Sequence, residues 1–71
     1  MDGHPDPYEH LSPREREVLA LIAAGKTNQQ IANALGLRFA TIKGYIADIL
    51  HKTAAESRTE AASEWTRRQR G

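Results

Sequence analysis

Apolar residues recur along this chain at steps of three and four, the spacing that collects side chains on one face of an α-helix. Between residues 39 and 53, for example, Ile42, Ile46, Ile49 and Leu50 form one such stripe. No segment alternates apolar and polar residues as a half-buried strand does, and Val and the aromatic residues are scarce. The pattern therefore predicts an all-α fold.

Three helix starts are recognisable as capping boxes, in which a Ser or Thr is followed three residues later by Glu or Gln. They are Ser12–Glu15, Thr27–Gln30 and Ser57–Glu60. Gly25 and Gly36 follow the first two apolar stripes and are the expected helix stops. Together these signals predict four helices, over about residues 13–24, 28–35, 39–53 and 58–68.

The same spacing predicts which side chains face the core. Leu11, directly before the first cap, is expected to pack back onto helix 1 as a hydrophobic staple. The remaining predicted core residues are Val18, Leu19, Leu21 and Ile22 in helix 1, Ile31 and Leu35 in helix 2, the stripe of helix 3, and Ala61, Ala62 and Trp65 in helix 4.

Helix 2, a three-residue turn and helix 3 have the arrangement of a helix-turn-helix. In the turn, Gly36 can adopt the left-handed backbone conformation that a sharp corner needs, Leu37 fills the corner, and Arg38 precedes helix 3. In such motifs the second helix enters the DNA major groove with its N-terminal residues first. A plain helical hairpin in a bundle is the alternative that spacing alone leaves open.

Charge is distributed unevenly, although the formal net charge of the chain is only +1. Residues 1–10 hold three of the nine acidic side chains, two Pro and no Lys or Arg, which predicts a disordered acidic leader. Residues 11–71 hold all ten basic side chains and six acidic ones, a net charge of +4, and are predicted to form one domain. A basic body favours a polyanion as partner, and a merely solubilising surface is the alternative.

Length and composition exclude several classes of protein. With 71 residues and no Cys, the chain has no room for a second domain and no disulfide or thiolate zinc site. No apolar run is long enough to span a membrane, so we predict a soluble cytoplasmic domain without a membrane partner. We also predict no enzymatic activity, cofactor, metal or small-molecule ligand. A weak metal site at Asp2, His4 and Asp6 is the alternative for the leader, and His10 and His51 have no catalytic partners in the sequence.

The stretch LSPREREVLALIAAGKTNQQIANALGLRFATIKGYIADIL, followed by ESRTEAA, resembles the LuxR-type (GerE-like) helix-turn-helix domain. The resemblance covers about residues 11–63 at several separated motifs. It implies a four-helix domain of a bacterial transcription regulator that binds double-stranded DNA, as a homodimer through helix 4. In the family the domain usually follows a receiver or ligand-sensing domain, and stand-alone versions of this length exist.

The resemblance also implies roles for individual residues. In helix 3, Lys43 lies at the edge of the face opposite the apolar stripe, where similar proteins reach bases or phosphates, and Gly44 and Ala47 lie in the middle of that face. The expected backbone contacts are Thr27, Asn28, Arg38, Thr41 and Tyr45. Ala61, Ala62 and Trp65 are the expected dimer contacts, and the alternative for Trp65 is that it covers the core of the monomer. The Arg residues at 67–70 are expected to be a solvated tail, with contact to flanking DNA as the alternative.

Several positions depart from the family pattern. Gly44 and Ala47 lack side-chain donors and acceptors, and Asp48 would repel phosphate unless Lys52 pairs with it at i+4. Arg38 stands where a capping Ser or Thr is usual. A KTAAE stretch replaces the pattern KLGVx, so helix 3 is expected to run on by a turn. These departures favour, as the alternative function, a protein-interaction module with weak or lost DNA binding.

Overall fold

A computed structural model describes residues 6–70, which form five helical elements and no strand. A short 3₁₀ helix, Pro7–His10, comes first. It is followed by four α-helices: α1 (Pro13–Ala23), α2 (Asn28–Leu35), α3 (Phe39–Thr53) and α4 (Arg58–Arg70). The predicted all-α fold is confirmed. The predicted bounds hold for α2 and α3, whereas α1 ends one residue earlier and α4 ends two residues later than predicted.

The first two capping boxes form as the sequence predicts. The Ser12 hydroxyl accepts from the Glu15 amide at 3.1 Å, and the Glu15 carboxylate accepts from the Ser12 amide at 2.8 Å. Thr27 and Gln30 repeat this reciprocal pair at the start of α2. The third box is only half formed, because the Glu60 carboxylate accepts from the amide of Glu56 instead of that of Ser57.

The end of α3 agrees with the bound predicted from the apolar stripe, but not with the further turn expected from the KTAAE departure. The helix does not run on, because Ala54 takes the left-handed conformation, with φ 59° and ψ 22°, and ends it at Thr53. Ala54 is the only residue other than Gly with a positive φ in the described part of the chain. The chain therefore turns here as it would at a glycine, but with a Cβ present.

The core lies where α1, α2 and α3 meet. Its fully buried large side chains come from all three helices: Leu19, Val18, Ile31, Ile42 and Ile49. Half-buried side chains pack around them, namely Leu21, Ile22, Leu35, Leu37, Tyr45, Ile46, Leu50, Ala55 and Trp65. The stripes predicted from spacing thus face inward, and they fix which face each helix leaves to solvent.

The prediction of a disordered leader over residues 1–10 is wrong for residues 6–10. Tyr8 is only 8% exposed and belongs to the core, together with the predicted staple Leu11. Asp6 caps the 3₁₀ helix by accepting from the Tyr8 amide at 3.0 Å, and it accepts from Arg68 Nε at 2.7 Å. The Arg68 guanidinium also lies 4.2 Å from the centre of the Tyr8 ring. The prediction failed because it rested on the acidic, Pro-rich composition of residues 1–10, which carries no information about contacts with Arg68 near the other end of the chain.

Candidate nucleic-acid interface

The turn between α2 and α3 has the geometry expected of a helix-turn-helix. Gly36 has a left-handed φ of 68°, and the amide of Leu37 donates to the carbonyl of Ala32 at 2.9 Å. The Leu37 side chain is half-buried against the core, as predicted for a corner residue. Since Ile31 and Ile42 are both fully buried, the two helices are held at a fixed orientation by the core beneath them.

The side of α3 opposite its isoleucines is open to solvent. We call this surface the outer face of α3; its exposed residues are Ala40, Thr41, Lys43, Gly44, Ala47, Asp48 and His51. Four predicted contact residues, Thr41, Lys43, Gly44 and Ala47, therefore share one surface. Tyr45 does not, since it is half-buried and packs against the core at the edge of this face.

The start of α2 holds the predicted backbone contacts Thr27 and Asn28. Thr27 is exposed and uses its hydroxyl to cap the Gln30 amide at 3.1 Å. The capping box occupies the amides of Thr27 and Gln30, so the amides of Asn28 and Gln29 in the first turn are left without an intrahelical acceptor. A helix start of this kind suits a phosphate group.

The side chain of Asn28 is used inside the domain. Its carbonyl oxygen accepts from the guanidinium of Arg58, which also donates to the Lys26 carbonyl at 3.5 Å. Arg58 is the first residue of α4, so it fastens that helix to the start of α2. Sequence reasoning missed this role; the Arg that follows the Ser57 cap in the ESRTEAA motif was the available signal.

The start of α3 lies beside the start of α2. Arg38 is its exposed N-cap and makes no capping hydrogen bond with its side chain, which confirms the predicted lack of a side-chain cap. Phe39 is 46% exposed and lines a shallow groove with Lys26, Thr27 and Arg58. Three cationic side chains, one aromatic ring and the free amides of α2 therefore lie at this end of the outer face.

Lys52 does not form the i+4 pair with Asp48 that would offset the charge of Asp48 toward phosphate. Its ammonium group instead lies 3.0 Å from the carboxylate of Glu15, which is 3% exposed on α1. Burial acts to raise the pKa of Glu15, but hydrogen bonds from the Ser12 amide and the Lys52 ammonium outweigh it and hold the pKa below its ordinary value. The pair fastens α1 to the second half of α3. Within residues 6–70, Asp48 forms no salt bridge.

The residues predicted to form a dimer contact do not share an exposed surface. Ala61 is fully buried and Ala62 is 6% exposed, both within the core of a single chain. Small residues do allow close approach of another helix, but that helix is α1, the element against which α4 packs most extensively. This burial is what their predicted core position requires and counts against a dimer contact through them, and the dimer contact itself stays a prediction. Trp65 is half-buried against the same core and also lines a groove beside Tyr8.

The Arg residues near the C-terminus are exposed but belong to α4, which continues through Arg70. Glu64 accepts from Arg67 and also from Arg68, the latter at 2.7 Å. These hydrogen bonds lower the pKa of Glu64 to about 2. Positive charge at this end of the domain is thus partly neutralised, whereas Lys43 lies outside every salt bridge of the described residues.

Two kinds of feature are absent from residues 6–70. None of the helices there is both long and apolar enough to cross a membrane. No three His, Asp or Glu side chains there lie close enough together to hold a metal ion. Of the weak metal site considered for the leader, Asp2 and His4 lie outside the described residues.

Comparison with known proteins decides the family. The sequence pattern of "Bacterial regulatory proteins, luxR family" matches residues 9–65, most of the chain and the whole helix-turn-helix. The chain belongs to the luxR family of bacterial regulatory proteins. This confirms the resemblance found in the sequence.

Individual proteins that this chain resembles are also named as regulators. The transcriptional regulatory protein LiaR of Bacillus subtilis is 46% identical over 56 residues, which are 79% of this chain and 26% of LiaR. The response regulator protein VraR of Staphylococcus aureus is 44% identical over 54 residues, which are 76% of this chain and 26% of VraR. VraR of Staphylococcus epidermidis gives the same figures. The chain thus spans about a quarter of the length of these relatives.

Proposed function

We propose that this domain binds double-stranded DNA and serves as the DNA-binding part of a transcription regulator. In this proposal α3 enters the major groove with its outer face, and the start of α2 contacts the sugar-phosphate backbone. One observation carries it: the core holds α2 and α3 as a helix-turn-helix whose second helix presents Lys43 on a wholly exposed face. That the relatives are named as regulators supports the same role for this chain.

The charge distribution supports this orientation. Lys26 and Arg58 line the groove next to Phe39, Arg38 is exposed beside it, and Lys43 follows one turn later. Contacts between such cations and phosphates release condensed counterions, so affinity falls as the salt concentration rises. The cations at the far end of α4 are less available, because Glu64 pairs with Arg67 and Arg68.

Fluorescence anisotropy with a labelled DNA duplex, titrated at several salt concentrations, tests the proposal. The wild-type domain should bind with an affinity that decreases steeply with salt. Lys43→Ala should weaken binding and reduce the slope of log affinity against log salt by about one. Arg70→Ala removes an equal charge from the end of α4 and serves as the matched control, with an unchanged slope. A salt-independent affinity, or equal slopes for wild type and Lys43→Ala, would contradict the proposal.

A protein-interaction module is the second candidate function. The observation in its favour is the composition of the outer face, where Gly44 and Ala47 offer no side-chain donor and Asp48 is negative. DNA binding that is undetectable even at low salt, together with retained folding, would favour this candidate over the first.

Homodimerisation on DNA stays a prediction. Since Ala61 and Ala62 are buried, a contact through α4 has to use exposed polar side chains such as Ser63 and Arg67, or the edge of Trp65 on the opposite side of the helix. Sedimentation velocity of the free domain and of its complex with DNA measures the stoichiometry. One domain per duplex at saturating protein would contradict the dimer.

A further inference from the structure

We propose that Asp48 selects the base sequence that this domain reads, by accepting a hydrogen bond from the exocyclic amine of a cytosine in the major groove. The inference rests on the proposed function, because it requires the outer face of α3 to lie in that groove. Asp48 would then contribute to DNA recognition, although its negative charge repels the phosphates.

The carboxylate of Asp48 is available for a contact with DNA. Asp48 is exposed on the outer face, and the cation one helical turn further on, Lys52, is engaged 3.0 Å away from Glu15. No salt bridge within residues 6–70 involves Asp48. No cation within residues 6–70 thus competes with DNA for the oxygens of the Asp48 carboxylate.

The small residues of the outer face allow α3 to come close to the base edges. Asp48 has a short side chain, so the helix backbone must come near the base edges for it to reach them. Gly44 and Ala47 line the outer face between Lys43 and Asp48, and a Cβ built at Gly44 meets nothing within 4 Å. With such small side chains, the middle of the face does not hold the helix away from the groove floor. Lys43 and Asp48 lie about 7.5 Å apart along the axis, at 1.5 Å per residue, so they meet different base pairs.

The chemistry of the major groove restricts which base a carboxylate can contact. Phosphates and the acceptors N7, O6 and O4 repel a carboxylate, so it needs a donor, and only the amines of cytosine and adenine provide one there. The adenine amine lies beside the acceptor N7, whereas the cytosine base presents its amine without a neighbouring acceptor of its own. Cytosine is therefore the base that Asp48 fits.

Selection of bound duplexes from a random pool tests the assignment with four proteins: wild type, Asp48→Ala, Asp48→Asn and Glu56→Gln. The last variant removes one negative charge from the exposed turn after α3 and is the matched control. Circular dichroism confirms that each variant folds. Competition between duplexes that differ at a single base pair then measures the preference at each position.

We expect the wild type and Glu56→Gln to prefer cytosine at one position by about tenfold. Asp48→Ala should lose the preference at that position only. Asp48→Asn should shift it to adenine, because an amide side chain pairs with both the amine and N7 of adenine. If Asp48→Ala binds all sequences more tightly with unchanged preferences, Asp48 is merely repulsive and the assignment is wrong. If the wild type binds no duplex at low salt, the proposed function itself fails.

Discussion

Ala54 ends α3 in the left-handed backbone conformation, where L-residues with a Cβ are strained. The crowding of Cβ against the following carbonyl oxygen costs about 1–2 kcal/mol. Glycine removes that crowding but adds backbone freedom to the unfolded chain, which costs about 0.5–1 kcal/mol relative to alanine. Ala54→Gly should therefore raise the free energy of unfolding by about 0.5–1 kcal/mol, against the usual effect of this substitution.

The assay is thermal unfolding followed by circular dichroism. For a domain of this size the gain corresponds to an increase in Tm of about 2–8 °C. Ala47→Gly is the matched control, because Ala47 is exposed in the interior of the same helix and its replacement removes no core contact. It should lower the free energy of unfolding by about 1 kcal/mol. The reasoning is refuted if Ala54→Gly lowers Tm as Ala47→Gly does.

Two further predictions concern contacts between distant parts of the chain. Because the folded state lowers the pKa of Glu15, the ionised carboxylate stabilises the fold above its unfolded pKa of about 4.3, and this stabilisation is lost as pH falls through the lowered value. Glu15→Gln keeps the capping partner but loses the charge, so in urea unfolding it should lower the free energy of unfolding by about 1–2 kcal/mol at pH 7 and by less at pH 3. An equal decrease at both pH values would contradict this. Tyr8→Ala should lower the free energy of unfolding by about 2–4 kcal/mol, since Tyr8 is 8% exposed, whereas His10→Ala on the same 3₁₀ helix should change it little. An unchanged Tm for Tyr8→Ala would contradict this and support the prediction of a disordered leader.

Local chemistry made most of the helix bounds predictable. Each capping box, at Ser12 and at Thr27, and the left-handed turn at Gly36 depends only on residues within four positions. Such local signals can be recognised from the sequence alone. The stripe of isoleucines in α3 likewise fixed its buried face, and with it the outer face that holds Lys43.

Contacts across the chain were not predictable in the same way. Spacing placed Ala61 and Ala62 on the inward face of helix 4, but it could not identify α1 as the helix against which they pack. The exposed i+4 pair of Asp48 and Lys52 is weakly favourable, and the buried carboxylate of Glu15 competes more strongly for the ammonium group. Only the packing of α1 on α3 brings Glu15 within reach, and this leaves Asp48 open on the outer face.

The most direct test of the central account is a map of backbone amide chemical shifts in the isotope-labelled domain, titrated with a short DNA duplex at low salt. The account predicts that the largest changes fall on the outer face of α3, at Lys43 and Gly44, and on the start of α2 at Thr27. Changes confined to the groove between α1 and α4, around Ser63 and Thr66, with the outer face of α3 unaffected, would contradict it.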